Sequence, residues 1–140
     1  MRKILLILFL IFSVSIALEK DKVKLTVIIT NINIIKGEIE IGFYNNPDAF
    51  PDDGGEYKKL RVKVNEKNMK INIELPKGVW AVAIYQDINK DKECNTNFLG
   101  IPKEPYGFSN NIKPILSAPS FNKTKFKLYK NKSITINLID

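Results

Sequence analysis

Apolar and polar residues alternate one by one along most of this chain, beginning at residue 23. A period of two is typical of a β-strand that buries one face and exposes the other, and a helix does not produce it. The pattern predicts about seven strands, over residues 23–30, 38–43, 59–64, 69–75, 79–85, 123–129 and 133–139. The fifth of these is apolar on both faces, so we expect it at the centre of a sheet.

Short strands separated by turn residues predict an all-β fold, an antiparallel β-sandwich of the immunoglobulin-like or transthyretin-like kind. The turn at Lys36-Gly37 predicts that the first two strands form a hairpin. Ala81 and Ala83 are small residues on the central strand, and they predict close approach of a facing layer.

Residues 87–122 interrupt the alternation for much longer than an ordinary loop. This segment holds four of the seven prolines and several large apolar side chains, which favours an ordered loop over a disordered one. We expect it to fold over one end or edge of the sandwich and to form the functional surface of the protein.

The N-terminus has the layout of a secretory signal peptide. Arg2 and Lys3 precede an apolar run over residues 4–16, and Ser15 and Ala17 supply the small residues of a cleavage site. The run is shorter than the roughly 20 residues that span a bilayer, so we expect cleavage rather than an uncleaved anchor. The prediction is a signal peptide over residues 1–17 and one domain over residues 18–140, periplasmic or secreted, with no membrane span after cleavage.

The amino-acid composition excludes several kinds of catalytic and metal site. The chain has no histidine and one cysteine, Cys94. It therefore lacks the base of a Ser-His-Asp or Cys-His system, the usual ligands of zinc and an internal disulfide. Its 22 basic and 15 acidic residues give a formal net charge of +7. Nearly all the basic residues are lysines scattered over the predicted strands, so we expect no nucleic-acid partner.

Oxygen-bearing side chains alternate directly after the central strand. Asp87, Asn89 and Asp91 occupy the first, third and fifth places of a calcium-binding loop. Glu93 stands at the seventh place and Asn95 at the ninth. Calcium prefers about six to eight hard oxygen ligands, and alternate residues of a curved loop direct such atoms to one centre. These five residues are the candidate calcium ligands.

Two alternatives compete with calcium binding. Lys92 and Phe98 stand where an EF-hand loop has its glycine and its final glutamate, so an EF-hand is excluded and only a different calcium loop remains. Asp and Asn side chains also accept hydrogen bonds from their own backbone in Asx turns, which makes the loop a structural feature without a cation. The other alternative is a hydrolase whose catalytic carboxylates are found among those of Asp87, Asp91, Glu93 and Glu104.

Four other side chains could take part in binding or catalysis, but each has a simpler structural explanation. We expect Cys94 to be a small buried side chain. Trp80 and Tyr85 are expected in the core, with stacking on a sugar as the alternative if they are exposed. We expect Ser109 to be a turn or cap residue, because the chain has no histidine to activate it.

Several short motifs of this chain resemble those of a bacterial family. They are LPxGxWAVA at residues 75–83, DxN at 87–89, NFLGIPKE at 97–104, YGFSNN at 106–111 and APSF at 118–121. Together they resemble the family called domain of unknown function 2141. The resemblance extends over residues 23–139 and is most specific over residues 97–111.

The resemblance implies a small secreted or periplasmic β-sandwich with no established activity. The usual pattern of the family after the central strand resembles H-D-x-N-x-N-G-x-x-D. Its His, Gly and second Asp are replaced here by Gln86, Lys92 and Asn95, whereas Asp87 and Asn89 match, and Asn97 matches in the motif that follows. The turn LPxGxW also resembles transthyretin-like and carboxypeptidase-regulatory modules, which are mostly accessory binding or structural domains.

We therefore expect a non-catalytic binding or structural accessory module that uses no cofactor, with an unidentified protein or small molecule as its partner. A calcium-stabilised ligand-binding module and a carboxylate-dependent hydrolase are the alternatives. Besides the candidate calcium ligands, the residues that we expect on the functional surface are Asn97, Glu104, Tyr106, Phe108, Ser109 and Asn110.

Overall fold

The computed structural model describes residues 21–140, and the predicted signal peptide lies outside the described residues. Its strands are β1 Lys22–Thr30, β2 Glu38–Tyr44, β3 Lys58–Lys63, β4 Met69–Pro76, β5 Gly78–Asp87, β6 Tyr106–Phe108, β7 Phe126–Leu128 and β8 Lys132–Asn137. The helical elements are short: 3-10 turns at Pro47–Ala49 and Ser109–Asn111, and helix α1 at Phe121–Thr124. Within residues 21–140 no helix has the length and apolar character needed to cross a membrane.

The strands form two sheets that pack face to face. The first sheet has the order β4-β1-β8, and the second has the order β3-β2-β5-β6, with β7 pairing with the start of β5. Side chains of both sheets meet in one core, in which Leu25, Ile41, Trp80 and Ile136 are buried. The predicted all-β sandwich is confirmed, and Trp80 is a core residue as expected. Its indole N–H donates to the carbonyl of Pro76 at 3.0 Å.

Two features of the predicted topology are wrong. β1 and β2 do not form a hairpin: β1 pairs with β4 and β8, whereas β2 pairs with β3 and β5. Residues 31–37 form an irregular crossing from one sheet to the other. The side-chain amide of Gln86 fixes this crossing by donating to the carbonyls of Ile34 and Lys36 at 2.7 and 2.8 Å. In addition, β1 and β8 run parallel, so the sandwich is not wholly antiparallel.

The long segment after β5 folds back onto the sandwich and contains strand β6, which is too short to show an alternation in the sequence. Gly107 allows β6 to approach β8 of the other sheet. A Cβ on this residue would lie 2.7 Å from Cγ2 of Ile136 and 3.1 Å from the carbonyl oxygen of Asn137. Backbone hydrogen bonds between Tyr106 and Ile139, at 2.9 and 2.7 Å, close this corner of the sandwich.

A second, smaller apolar cluster covers one end of the outer face of the second sheet. Tyr44, Phe50, Ala81, Phe108 and Phe121 are buried there. The ring of Phe50 meets those of Phe108 and Phe121 edge to face, with centroids 6.1 and 5.9 Å away. The small side chain of Ala81 lies in this cluster, in agreement with the predicted close approach of a facing layer. Further along the sheet the cover is incomplete, and the face opens into a cleft.

Candidate functional site

A cleft of about 410 Å³ lies on the outer face of the second sheet. Its floor is formed by Gly42 of β2 and Ala83 of β5, which are direct neighbours in the pairing of these strands. Both residues are small, so they leave a depression in the sheet surface. The other lining residues are Glu40, Tyr44, Pro51, Asp53, Ile84, Tyr85, Lys92, Glu93, Cys94, Pro102, Tyr106, Phe108 and Ala118. A volume of this size accommodates a small organic ligand.

The ring of Tyr44 forms one wall of the cleft. In this position the ring leaves no room for a Cβ atom on residue 42, which is a glycine. A Cβ on Gly42 would lie 2.7 Å from Cε2 and 3.0 Å from the hydroxyl oxygen of Tyr44. This hydroxyl donates to the carbonyls of Pro51 and Asp52 at 3.2 and 3.3 Å. Burial, together with the Glu56 carboxylate, raises the pKa of Tyr44 well above its usual range. The phenol therefore stays neutral, and the hydrogen bonds of its hydroxyl hold the ring against Gly42 of β2.

Three further aromatic rings line the cleft. Tyr85 on β5 pairs directly with Tyr106 on β6, and the rings of Tyr106 and Phe108 lie edge to face with centroids 6.0 Å apart. Tyr85 and Tyr106 are both half-buried, so each ring is partly accessible. The prediction that Tyr85 lies in the core is wrong, because Trp80 and Ile84 take inward positions on β5 and Tyr85 takes an outward one.

Beside the cleft, two cations are shared among a cluster of carboxylates. The carboxylates are those of Glu38, Glu40, Asp53, Glu56 and Asp87. Lys59 contacts three of them, Arg61 contacts three, and Glu40 is shared by both cations. The hydrogen bond from Lys59 holds the pKa of Asp53 below its usual value. The cluster therefore has five carboxylates against two cations and a negative excess charge.

Arg61 also fixes the phenol of Tyr85. Its Nη2 donates to the Tyr85 hydroxyl oxygen at 3.0 Å. Burial is the main cause that raises the pKa of Tyr85 to about 12. The Tyr85 hydroxyl therefore keeps its proton at neutral pH and remains a hydrogen-bond donor on the cleft wall.

Cys94 lies on the cleft wall and is exposed, so the prediction that it is buried is wrong. The reason is that the loop after β5 lies on the outer surface and not over the core. Although the residue is exposed as a whole, its thiol is partly enclosed. This enclosure is the main cause that raises the pKa of Cys94 to about 11, and the negative charges of Glu104 and Glu40 are the smaller causes. The thiol is therefore protonated at neutral pH, and a thiolate nucleophile is not available there.

Asp87, the first candidate calcium ligand, is fully buried and paired with Arg61. Its Oδ2 accepts hydrogen bonds from Arg61 Nη1 at 3.1 Å and from the backbone N–H of Lys92 at 2.9 Å. Its Oδ1 has no hydrogen-bond partner among residues 21–140. Gly37 packs against the backbone of Asp87, where a Cβ would collide with the carbonyl oxygen. The Asp87 carboxylate thus joins the end of β5 both to β3 and to the loop that follows.

Three other candidate ligands, Asn89, Asp91 and Asn95, form a cluster of their own. Asp91 Oδ2 accepts from the side-chain amides of Asn89 and Asn95 at 3.0 and 2.9 Å. The backbone N–H of Asp91 donates to Asn89 Oδ1 at 3.2 Å, and that of Glu93 donates to Asp91 Oδ1 at 2.9 Å. These are the hydrogen bonds of Asx turns. They hold the pKa of Asp91 below its usual value, with the bond from Glu93 as the main cause.

The structure therefore brings three of the five candidate calcium ligands together and leaves two apart. Asp87 is directed to Arg61, and the exposed side chain of Glu93 lies on the cleft wall. In the part of the chain that the structure describes, no group of three or more Cys, Asp or Glu side chains is placed where it could hold a metal ion.

The remaining candidates divide into lining residues and residues that hold the loop. Tyr106 and Phe108 line the cleft. Glu104 does not line it. Its buried carboxylate accepts the backbone N–H groups of Ile88 and Asn95 at 3.0 and 3.4 Å. Glu104 therefore fixes the base of the loop that carries the Asn and Asp cluster.

Ser109, Asn110 and Asn97 also have structural contacts. The buried hydroxyl of Ser109 donates to the carbonyl of Thr124 at 2.7 Å and accepts from the backbone N–H of Val82 at 3.0 Å. The side-chain amide of Asn110 donates to two backbone carbonyls near the end of α1. The side chain of Asn97 accepts two backbone N–H groups of its own turn. The Ser109 hydroxyl thus joins β5 to the end of α1, and the residue begins a 3-10 turn, in line with the expectation of a turn or cap.

Sequence reasoning missed Glu40, Gly42 and Arg61, which lie on the outer faces of β2 and β3. The alternation correctly placed them outside the core, but a solvated strand face predicts no site by itself. One signal was present in the sequence. The outer face of β2 carries Gly42 and Tyr44 where polar residues are expected, and such a pair indicates a covered or hollow surface.

The comparisons with known proteins support the resemblance. A family model described as an uncharacterized protein conserved in bacteria (DUF2141) matches residues 27–137. This range runs from the middle of β1 to the last residue of β8, and it contains every residue that lines the cleft. No curated protein and no solved structure matches the chain. The chain belongs to the DUF2141 family of uncharacterized bacterial proteins.

Proposed function

We propose that this protein is a non-catalytic binding module that works outside the cytoplasm and holds a small amphipathic ligand in its cleft. The observation that carries the proposal is the cleft of about 410 Å³, with a floor of Gly42 and Ala83 and walls of aromatic rings. Ligand sites are concave and mostly apolar, with a few polar groups that fix orientation. The signal-like pattern of residues 1–17 supports the location.

The rings define the apolar part of the ligand. Tyr85, Tyr106 and Phe108 come from neighbouring strands, so they present ring surfaces to one space. Aromatic side chains of this kind bind flat apolar bodies by stacking and edge contacts. The small floor residues allow such a body to lie close to the sheet. A purely structural module would not need this open space.

The charges define the polar part of the ligand. The charged lining residues are Glu40, Asp53, Glu93 and Lys92, three carboxylates and one ammonium group. The nearby cations Lys59 and Arg61 are already shared among five carboxylates. The cleft is therefore locally negative, although the whole chain has a formal charge of +7. This contrast favours a cationic group, such as an amine, on the ligand.

The protonation of the cleft residues supports binding rather than catalysis. The Cys94 thiol, with a pKa of about 11, and the Tyr85 phenol, with a pKa of about 12, both keep their protons at neutral pH. Glu40 is held by two cations and does not have the free carboxylate of a general base. Among the described residues, the cleft therefore offers no nucleophile paired with a base. Of the carboxylates suggested for a hydrolase, Glu93 alone lines this cleft.

Two probes of similar size and opposite charge test the proposal. They are 1-naphthylmethylammonium and 1-naphthylacetate, titrated by calorimetry into the chain from residue 18 to residue 140, which retains all the strands. The net charge of the protein favours the anion, whereas the cleft favours the cation. We expect the cation to bind at least about tenfold more tightly, and raised salt to weaken its binding.

The substitution Ala83→Phe separates binding in the cleft from binding elsewhere. The new ring would fill the floor from an outward position, away from the core between the sheets. We expect it to abolish binding of the cation while the thermal unfolding transition stays cooperative. Ile34→Phe is the matched control, because it adds the same ring at an exposed position that does not line the cleft. Tighter binding of the anion, or undiminished binding by a folded Ala83→Phe variant, would contradict the proposal.

A further inference from the structure

Two loop tips near the cleft expose large apolar side chains almost completely. The first tip is residues 98–101 and the second is residues 114–116. Phe98, Ile115 and Leu116 are 95, 90 and 93% exposed, and Leu99 is 65% exposed. The large exposed hydrophobic side chains elsewhere in residues 21–140 are Ile34, Ile35, Tyr57 and Tyr129, and their exposed fractions reach only 51 to 58%. Isolated exposed apolar residues are ordinary, whereas a group of them marks an interaction surface.

The two tips lie side by side. They line one groove of about 160 Å³, to which the first tip contributes Gly100 and Ile101 and the second contributes Pro114, Ile115 and Leu116. Residues that are distant in sequence therefore form one apolar patch. The groove adjoins the cleft, because both are lined by Pro102, Tyr106, Phe108 and Ala118.

The first tip is a turn in which the N–H groups of Leu99, Gly100 and Ile101 are paired locally. The Asn97 side-chain oxygen accepts the N–H groups of Leu99 and Ile101 at 2.9 and 3.1 Å. The N–H of Gly100 donates to the carbonyl of Asn97 at 3.0 Å, with Gly100 at a φ of +78°. Unpaired N–H groups are costly in a medium without water. This turn can therefore enter an apolar medium without leaving those donors unpaired.

Lysines are frequent and carboxylates are rare in the segment that carries the two tips. Residues 98–125 contain one carboxylate, that of Glu104, and it is buried. The lysines of the same segment are Lys103, Lys113, Lys123 and Lys125. None of these lysines forms an ion pair with a described residue. Lys103 and Lys113 lie two residues from Ile101 and Ile115 along the chain, so their charges border the patch.

We propose that the two tips dock the protein on an anionic lipid bilayer, with Phe98, Leu99, Ile115 and Leu116 inserted among the headgroups. The protrusion of these side chains favours a bilayer over a protein partner. A protein interface needs a complementary shape, whereas lipids rearrange around a protruding side chain. The bordering lysines would contact lipid phosphates.

Sedimentation with vesicles tests this proposal. The chain from residue 18 to residue 140 is mixed with vesicles of phosphatidylcholine alone, or with one third phosphatidylglycerol, and the bound fraction is measured. We expect binding to the anionic vesicles, weak binding to the neutral ones, and a decrease with salt. The combined substitution Phe98→Ser, Leu99→Ser, Ile115→Ser and Leu116→Ser should reduce the partition coefficient at least about tenfold. Ile34→Ser with Ile35→Ser is the matched control, and it should bind as the wild type does.

A second measurement does not depend on the folding of the fourfold variant. In a Cys94→Ser background, Leu116→Cys is labelled with an environment-sensitive fluorophore, and Tyr129→Cys serves as the control position. A blue shift on addition of anionic vesicles that is confined to position 116 is the expected result. Absence of vesicle binding at millimolar lipid would overturn the proposal, as would binding that the serine substitutions leave unchanged. Self-association that the serine substitutions abolish, without vesicle binding, would identify a second copy of the chain as the occupant and would also overturn it.

Discussion

The side chains of Arg61 and Asp87 meet although their strands are separated by β2. Nη1 of Arg61, on β3, lies 3.1 Å from Oδ2 of Asp87, at the end of β5. Arg61 also pairs with Glu40 of β2, the strand that lies between β3 and β5, and it donates to the hydroxyl oxygen of Tyr85. One guanidinium thus connects three strands, a wall of the cleft and the start of the Asp- and Asn-rich loop.

Removing the Arg61 guanidinium should destabilise the fold. Arg61→Met leaves the buried carboxylates of Asp87 and Glu40 without this cation, so we expect a loss of about 2 kcal/mol in the free energy of unfolding. Urea denaturation measures this loss. Lys63→Met on the same strand is the control, because Lys63 is exposed and forms no ion pair among the described residues. A loss below about 0.5 kcal/mol for Arg61→Met would show that the carboxylates do not depend on it.

Asp91 should stabilise its loop through hydrogen bonds and without calcium. Its carboxylate accepts from the Glu93 N–H and from two side-chain amides. We therefore expect Asp91→Ala to lower the midpoint of thermal unfolding equally in chelator and in millimolar calcium. A calcium-dependent rise of the wild-type midpoint that Asp91→Ala abolishes would instead support the calcium-stabilised loop that the sequence offers as an alternative.

The lowered pKa of Asp91 gives a pH test of the same contacts. Hydrogen bonds to the carboxylate hold its pKa below the unfolded value. Its contribution to stability is therefore present above the unfolded pKa and is lost as the pH falls through the folded pKa. We expect the difference in midpoint between wild type and Asp91→Asn to shrink as the pH falls below about 4. A difference that stays constant down to pH 2 would show that the charge of Asp91 is not involved.

Alkylation of Cys94 should be slow and should accelerate at high pH. Its thiol has a pKa of about 11, so the thiolate forms only as the pH rises toward that value. At pH 8 we expect the folded protein to react with iodoacetamide about tenfold more slowly than the chain unfolded in guanidinium, since the greater nucleophilicity of a more basic thiolate offsets part of its lower population. A rate that reaches its plateau by pH 9 would contradict the burial of the thiol against the cleft.

Export should remove the first residues of the chain. The pattern around Ser15 and Ala17 predicts cleavage before Leu18. Mass spectrometry of the protein from the extracytoplasmic fraction should give the mass of residues 18–140. Ala17→Arg should block processing and leave the full-length mass in the cell. Recovery of the full-length chain for both proteins would point to an uncleaved anchor.

The sequence predicted which residues face the core better than it predicted how the strands pair. Ile39, Ile41 and Phe43 alternate with polar or small residues and are all buried between the sheets. This succeeds because one period of two determines the face of each residue. Pairing depends instead on contacts between distant segments. Residues 31–37 contain a turn signal, yet they lead from one sheet to the other and not back along the same one.

The cleft was not predictable in the same way. It requires Gly42 to lie beside Ala83, Tyr106 to lie beside Tyr85, and Arg61 to extend over β2, and each of these relations is set by register. The Asp and Asn loop was recognised because its residues are close in sequence. The local signal therefore identified a neighbouring structural feature, whereas the cleft itself is lined by residues of β2, β5 and β6 and of the segments that connect the strands.

Chemical-shift mapping shows whether the cleft is the ligand site. A ¹⁵N-labelled sample of residues 18–140 is titrated with 1-naphthylmethylammonium, and the backbone amide signals are followed. We predict saturable shifts concentrated at Gly42, Ala83, Cys94 and Tyr106, which line the cleft, with none along β8. Shifts that centre on the apolar tips, or small shifts that do not saturate anywhere, would contradict a ligand site in the cleft.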